Sequence, residues 1–155
     1  MIRNERQYKI TRTQANNFRK ALAELLAEPR ATALDADLKL KLQEGALSSQ
    51  LGDLEEEIRE YEQLQQHRSE VLEVTSLTEL PQVLVKARIA SGLTQKQLAE
   101  SLHLKEQQIQ RYEASNYKGV SLERMQEVID ALGVKLSGQA FIPAEPDLPA
   151  TVFTS

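Results

Sequence analysis

Cysteine and tryptophan are missing from this sequence, phenylalanine occurs three times, and no long apolar run is present. Each absence narrows the possibilities. Without cysteine there is no disulfide and no thiolate metal site, and an intracellular setting is the natural expectation. Aromatics are 5% against 41% hydrophobic residues, so leucine and alanine must build the core. That composition favours helix over sheet. No stretch approaches the ~20 apolar residues that span a bilayer, and the opening MIRNERQYKI lacks the apolar centre of a signal peptide. The expectation is a soluble, cytoplasmic protein with no membrane partner. The two histidines, His67 and His103, stand alone in polar surroundings. No phosphate-cradling glycine loop, nucleophile elbow or metal-ligand spacing accompanies them. The sequence therefore reads as non-enzymatic, with no catalytic residue, metal or cofactor.

The net charge of −4 is unevenly spread. Residues 1–75 carry 11 Lys/Arg and 14 Asp/Glu, residues 76–136 carry 8 and 7, and residues 137–155 carry none and 2. The acidity lies outside the middle segment, which keeps a slight positive excess compatible with a weakly attracted polyanion.

Residues 1–10 are polar and read as extended. Thr11 with Gln14 forms a capping-box pattern, predicting a helix over about 12–28 that carries Ala15, Phe18, Leu22 and Leu25 on one face and stops before Pro29. A second helical stretch spans about 34–73. Leu47, Leu51, Leu54, Ile58 and Tyr61 form a narrow seam of alternating four- and three-residue steps, as in a helical hairpin or coiled coil. Gly45 and Gly52 weaken that helix, so a break near Gly45 is expected. Asp53, Glu55, Glu56, Glu57, Glu60 and Glu62 make its far face acidic, which is most simply a solvated face. Residues 73–76 read as a linker. Further short helices follow at about 79–91, 95–102, 106–114 and 122–132, the last capped by Ser121 and ended by Gly133. The tail 137–155 is proline-containing and reads as extended and partly mobile, with a short strand conceivable in VKLSGQAFI.

The segment LTQKQLAESLHLKEQQIQRYEAS, residues 93–115, is the most informative. Gly92 suits the left-handed end of a helix. Thr94 with Gln97 is a second capping box, starting a short helix at Gln95. Leu98, Ala99 and Leu102 form its inner face, and Ala99 is small enough to let another helix cross closely. After a turn through Leu102–Lys105, a further helix begins near Glu106, anchored by Ile109 and Tyr112. Glu106, Gln107, Gln108, Gln110 and Arg111 point outward. Two helices at a steep angle present the second to a major groove. Glutamine pairs with adenine and arginine with guanine, while Thr94, Gln95 and Lys96 at the preceding helix start suit a phosphate. The expected core of this segment is Leu84, Leu93, Leu98, Ala99, Leu102, Leu104, Ile109, Tyr112, Leu122, Met125, Ile129 and Leu132.

Residues 79–136 resemble the Xre/Cro family of phage-repressor-like helix-turn-helix domains. The resemblance rests on Arg88, Gly92-Leu93-Thr94-Gln95, Leu98-Ala99, Ile109, Tyr112-Glu113, Ser121-Leu122 and Ala131-Leu132-Gly133, taken in their order and spacing. It implies a double-stranded DNA partner, a backbone contact from Gln95, base reading by Gln107 and Arg111 beside Glu106, and an internal ion pair between Arg88 and Glu113. The sequence departs from the family at His103, where glycine is usual, though histidine tolerates positive φ better than most residues. It departs again at Lys105, where a Ser or Thr cap is usual and an ammonium could reach a phosphate instead. Glu106 either accepts from cytosine or complements the helix dipole. Lys118, in the unusual loop 114–120, is either a backbone contact or a solvated lysine.

The expected fold class is all-α: a five-helix-type helix-turn-helix domain over 76–136, preceded over 1–75 by a helical hairpin or coiled coil that mediates association away from the DNA. The expected function is a sequence-specific transcriptional repressor acting as a homodimer. The alternative is an antitoxin whose residues 1–75 grip a basic toxin while the domain represses its own operon.

Overall fold

The computed structural model describes residues 1–27, 34–66, 72, 74–140 and 142; the side chains of 34–36 are not described. Six α-helices and no strand are present among them: α1 Glu5–Ala27, α2 Leu34–Gln66, α3 Leu80–Ala90, α4 Gln95–Ser101, α5 Glu106–Ala114 and α6 Leu122–Leu132. The fold is all-helical, with a helix-turn-helix domain in its C-terminal half preceded by two long helices. The strand considered for VKLSGQAFI is absent: residues 134–140 have no regular structure, and Phe141 and 143–155 lie outside the described residues.

The N-terminus differs from the expectation. The chain is helical from Glu5, not from Arg12. Asn4 is the cap: its Oδ1 accepts from the Gln7 N–H at 2.9 Å, and Gln7 Oε1 accepts in turn from the Arg3 N–H at 2.8 Å. The Asn4-x-x-Gln7 spacing is a capping-box variant seven residues upstream of the one at Thr11. Thr11 is instead buried mid-helix beside Ala15. The expected stop at Glu28 and Pro29, and the end of the second helix near residue 73, fall outside the described residues.

α1 and α2 pack antiparallel as a hairpin. Tyr8 stacks on Tyr61 with ring centroids 5.1 Å apart, and Tyr8 Oη donates to Glu62. Farther along, Arg19 Nη2 donates to Glu55 Oε1 at 2.5 Å. α2 runs without a break through Gly45 and Gly52, where neither glycine faces a close neighbour. Packing along its length, not local propensity, holds it helical. Its seam deepens toward the C-terminal end: Leu47, Leu51, Leu54 and Ile58 are half-buried, while Tyr61 and Leu64 are buried.

That deep end joins the second half of the molecule. Ile2, Tyr61 and Leu64 share one apolar cluster with Leu80, Leu84, Val85, Ile89, Leu98, Ala99, Ile109, Tyr117, Val128 and Ile129. Most of the expected core residues lie in or against this cluster. Leu122 does not: it is 72% exposed at the first turn of α6, where Val128 and Ile129 turn inward instead. The domain contributes four helices, α3 to α6, and α2 packs against α3.

Candidate nucleic-acid interface

Local sequence chemistry fixes each element of the helix-turn-helix unit. Just past the C-cap Ser91 of α3, Gly92 turns the chain with φ +69°. Thr94 and Gln97 exchange their capping-box bonds at the start of α4: Thr94 Oγ1 accepts from the Gln97 N–H at 3.1 Å, and Gln97 Oε1 accepts from the Thr94 N–H at 2.8 Å. The turn to α5 places His103 at φ +56°. Lys105 has no acceptor to cap α5, but Gln108 Oε1 accepts from its N–H at 3.0 Å, so half of a capping box survives. At α6, Ser121 Oγ accepts from the Arg124 N–H, and Gly133 closes the helix at φ +65°.

Beneath the turn lies a buried polar centre. Arg88 and Glu113 form a two-pronged ion pair, Nε to Oε1 at 2.6 Å and Nη2 to Oε2 at 2.9 Å, with side chains 3% and 1% exposed. Arg88 also donates to the Leu93 carbonyl at 2.8 Å and to the Arg3 carbonyl at 2.6 Å. One guanidinium thus ties α3 to α5, to the entrance of α4 and to the N-terminal segment. Its planar fork can satisfy this many acceptors where a lysine could not. Gln95 belongs to the same centre. Its Nε2 donates to Glu113 Oε2 at 2.7 Å, and its Oε1 accepts from Asn4 Nδ2 at 3.3 Å. Gln95, expected at the DNA backbone, is buried here.

The remaining candidates lie outside. Thr94, Lys96, Lys105, Glu106, Gln107, Gln110, Arg111 and Lys118 are exposed, and Gln108 is half-buried. Gln110 Nε2 donates to Glu106 Oε1 at 3.0 Å, and Lys96 lies 3.9 Å from Glu100. The Gln107 and Arg111 side chains have no partner among the described residues, although they project from a helix anchored by fully buried Ile109 and Glu113. Rigid support beneath uncommitted donors suits hydrogen bonding to base edges.

The loop after α5 hid a structural residue. Asn116 and Tyr117 both have positive φ, +50° and +55°, followed by Gly119 at +74°. Asparagine tolerates this conformation; tyrosine does not. The strain is offset by burial of the Tyr117 ring, 3% exposed and 6.0 Å from that of Tyr112. Burial pushes the Tyr117 hydroxyl well above its ordinary range, and no protein group among the described residues hydrogen-bonds to it. Nothing in its sequence surroundings marks Tyr117 as core.

The family model described as helix-turn-helix matches residues 84–139. These residues form an Xre/Cro-type helix-turn-helix domain. The domain is DNA-binding, of the kind that regulates transcription. Its match covers α3 from Leu84, the α4–α5 pair and α6, but neither helix of the hairpin. No curated protein and no solved structure matches the chain. No helix among the described residues is long and apolar enough to cross a membrane.

Proposed function

We propose that the protein is a sequence-specific repressor that binds duplex DNA as a dimer, with Gln107 and Arg111 of α5 reading bases. The observation that carries this reading is the pair of exposed, unpartnered side chains on a helix locked from below by the Arg88–Glu113 centre. Thr94, Lys96, Lys105 and Lys118 are exposed and would suit phosphates. One short helix reads only a few base pairs, so specificity calls for two such domains about 34 Å apart on one DNA face. The hairpin of α1 and α2 is the natural association element. Leu26, Leu38 and Leu42, on the α1 and α2 stretches nearest their connection, are each more than half exposed. The setting we propose is the cytoplasm.

The antitoxin alternative draws less support. It relied on the acidic face of α2 as a dock for a basic toxin. Glu55 meets Arg19, Glu57 meets the Met1 nitrogen at 2.8 Å, Glu60 meets Lys86 at 2.9 Å and Glu62 accepts from Tyr8. Four of the six acids therefore already have partners within the chain, although Glu55, like Asp53 and Glu56, stays exposed.

Genome-wide selection of bound DNA fragments with the full chain tests the proposal. The expected result is an enriched, roughly two-fold-symmetric site. On it, Arg111→Ala loses about 1–3 kcal/mol and relaxes one base position. Equal losses on the selected site and on random duplex would remove Arg111 from base reading.

A further inference from the structure

The charge of the N-terminal region divides between its two helices. Residues 1–27 hold six Lys/Arg and two Asp/Glu, whereas α2 holds three and nine. The net acidity of residues 1–75 masks a basic helix. That helix starts beside the reading head: Arg3, Arg6, Gln7 and Ile10 line one side of an open groove of about 970 Å³, and Thr94, Glu106, Gln110 and Ala114 line part of the other.

The placement matters because of where Gln107 and Arg111 point. At about 100° per residue, Glu106 and Gln110 lie to one side of the line through Gln107 and Arg111. A helix about 10–12 Å across nearly fills a major groove about 12 Å wide, so a helix flank meets a phosphate wall. On this flank the wall runs toward the first turns of α1. The Gln95 side chain is buried and its amide already donates to Glu113. Arg6 offers free donors: it is exposed, lines the groove and has no partner among the described residues. The N-terminal segment that positions Arg6 is fixed by Ile2, 2% exposed in the core, by the bond from Arg88 to the Arg3 carbonyl, and by Arg3 Nη2 donating to Asn116 Oδ1 at 3.0 Å. Such anchoring removes much of the ordering cost of a backbone contact.

We infer that the start of α1 is part of the DNA interface, with Arg6 gripping the phosphate backbone that flanks the bases read by α5. This rests on the DNA-binding reading above, and it extends the interface beyond the segment matched by the family. Such a contact is blind to sequence and sensitive to salt.

The test uses the full chain and duplexes carrying the selected site, with binding followed by fluorescence anisotropy across a salt series. Arg6→Gln should weaken the selected and random duplexes alike, by roughly three- to tenfold, and flatten the salt dependence by about one phosphate contact. Lys20→Gln removes the same charge from an exposed position on α1, about 20 Å farther along the helix, and should leave both unchanged. Both variants should keep the wild-type unfolding midpoint, since both side chains are exposed. If the wild type selects a site and Arg6→Gln binds it with unchanged affinity and salt slope, α1 is not at the DNA and only this inference falls. Tighter binding by Arg6→Gln would also overturn it, making α1 an obstruction. A wild type that binds no duplex would overturn the DNA-binding reading and this inference together.

Discussion

Leu84, Leu98, Ile109 and Val128 of the helix-turn-helix domain expose none of their surface, whereas Phe18, Leu22, Leu25, Leu47, Leu51 and Leu54 along the hairpin are all only half-buried. Geometry explains the contrast. Short helices crossing at steep angles enclose a residue from every side, but two helices lying side by side cover only one stripe of each other and leave its edges wet. The domain therefore holds a buried polar centre in a fixed shape, and the hairpin holds a long, graded contact. The boundary between the two styles of packing falls inside α2, between half-buried Ile58 and buried Tyr61.

The largest expected effect is at the polar centre. Glu113→Ala would leave the Arg88 charge buried and unpaired and take a partner from Gln95. It should destabilise the protein by about 3–5 kcal/mol, read from urea unfolding midpoints. A loss under about 1 kcal/mol would mean that Arg88 reaches solvent. Next, matched truncations should separate the two packing styles. Ile109→Ala should cost about 2–5 kcal/mol and Leu51→Ala about half as much or less; equal costs would mean that the hairpin seam is as enclosed as the domain core. Ile2→Ala probes the join and should cost about 2 kcal/mol. An unchanged midpoint would show that the N-terminal segment does not dock on the domain.

The smallest effect has the opposite sign. Tyr117→Phe removes a buried hydroxyl that has no partner among the described residues and should stabilise by about 1 kcal/mol near neutral pH. The hydroxyl's raised folded-state pKa adds a pH signature. Its contribution to stability is present below the ordinary tyrosine range near pH 10 and is lost as pH rises through it, because the unfolded chain then ionises first. The variant should lose less stability than the wild type between pH 8 and pH 11. A destabilised variant would point to a partner for the hydroxyl.

The domain was legible where chemistry is local. The Thr94–Gln97 box, the Ser121 cap and the left-handed glycines 92 and 133 are set by residues within a few positions of one another, and the helices fall where those signals put them. What stayed hidden was long-range. Nothing near Ile2 announces that it is buried beneath a domain more than eighty residues away. Leu122 looks like core by type, yet Ser121 caps the turn in an orientation that leaves it outside. The Asn4–Gln7 cap was visible in the spacing but overshadowed by the Thr11–Gln14 pattern. The acidic face of α2 is solvated at Asp53, Glu55 and Glu56, as its charges suggest; what local sequence does not show is its partners Arg19, Tyr8 and Lys86, which lie on other helices.

Arg88 gives the two halves a shared fate. Its guanidinium bonds to groups at residues 3, 93 and 113, so no one of the three segments can leave without stranding charge or carbonyl groups that the other two depend on. Partial opening at any of them is penalised by the rest. During synthesis the N-terminal segment emerges long before the carboxylate it is linked to, and waits for Glu113 before its final seat exists. The hairpin and the reading head are thereby joined at one side chain, and the seat of the N-terminal segment is complete only when α3 and α5 are both in place.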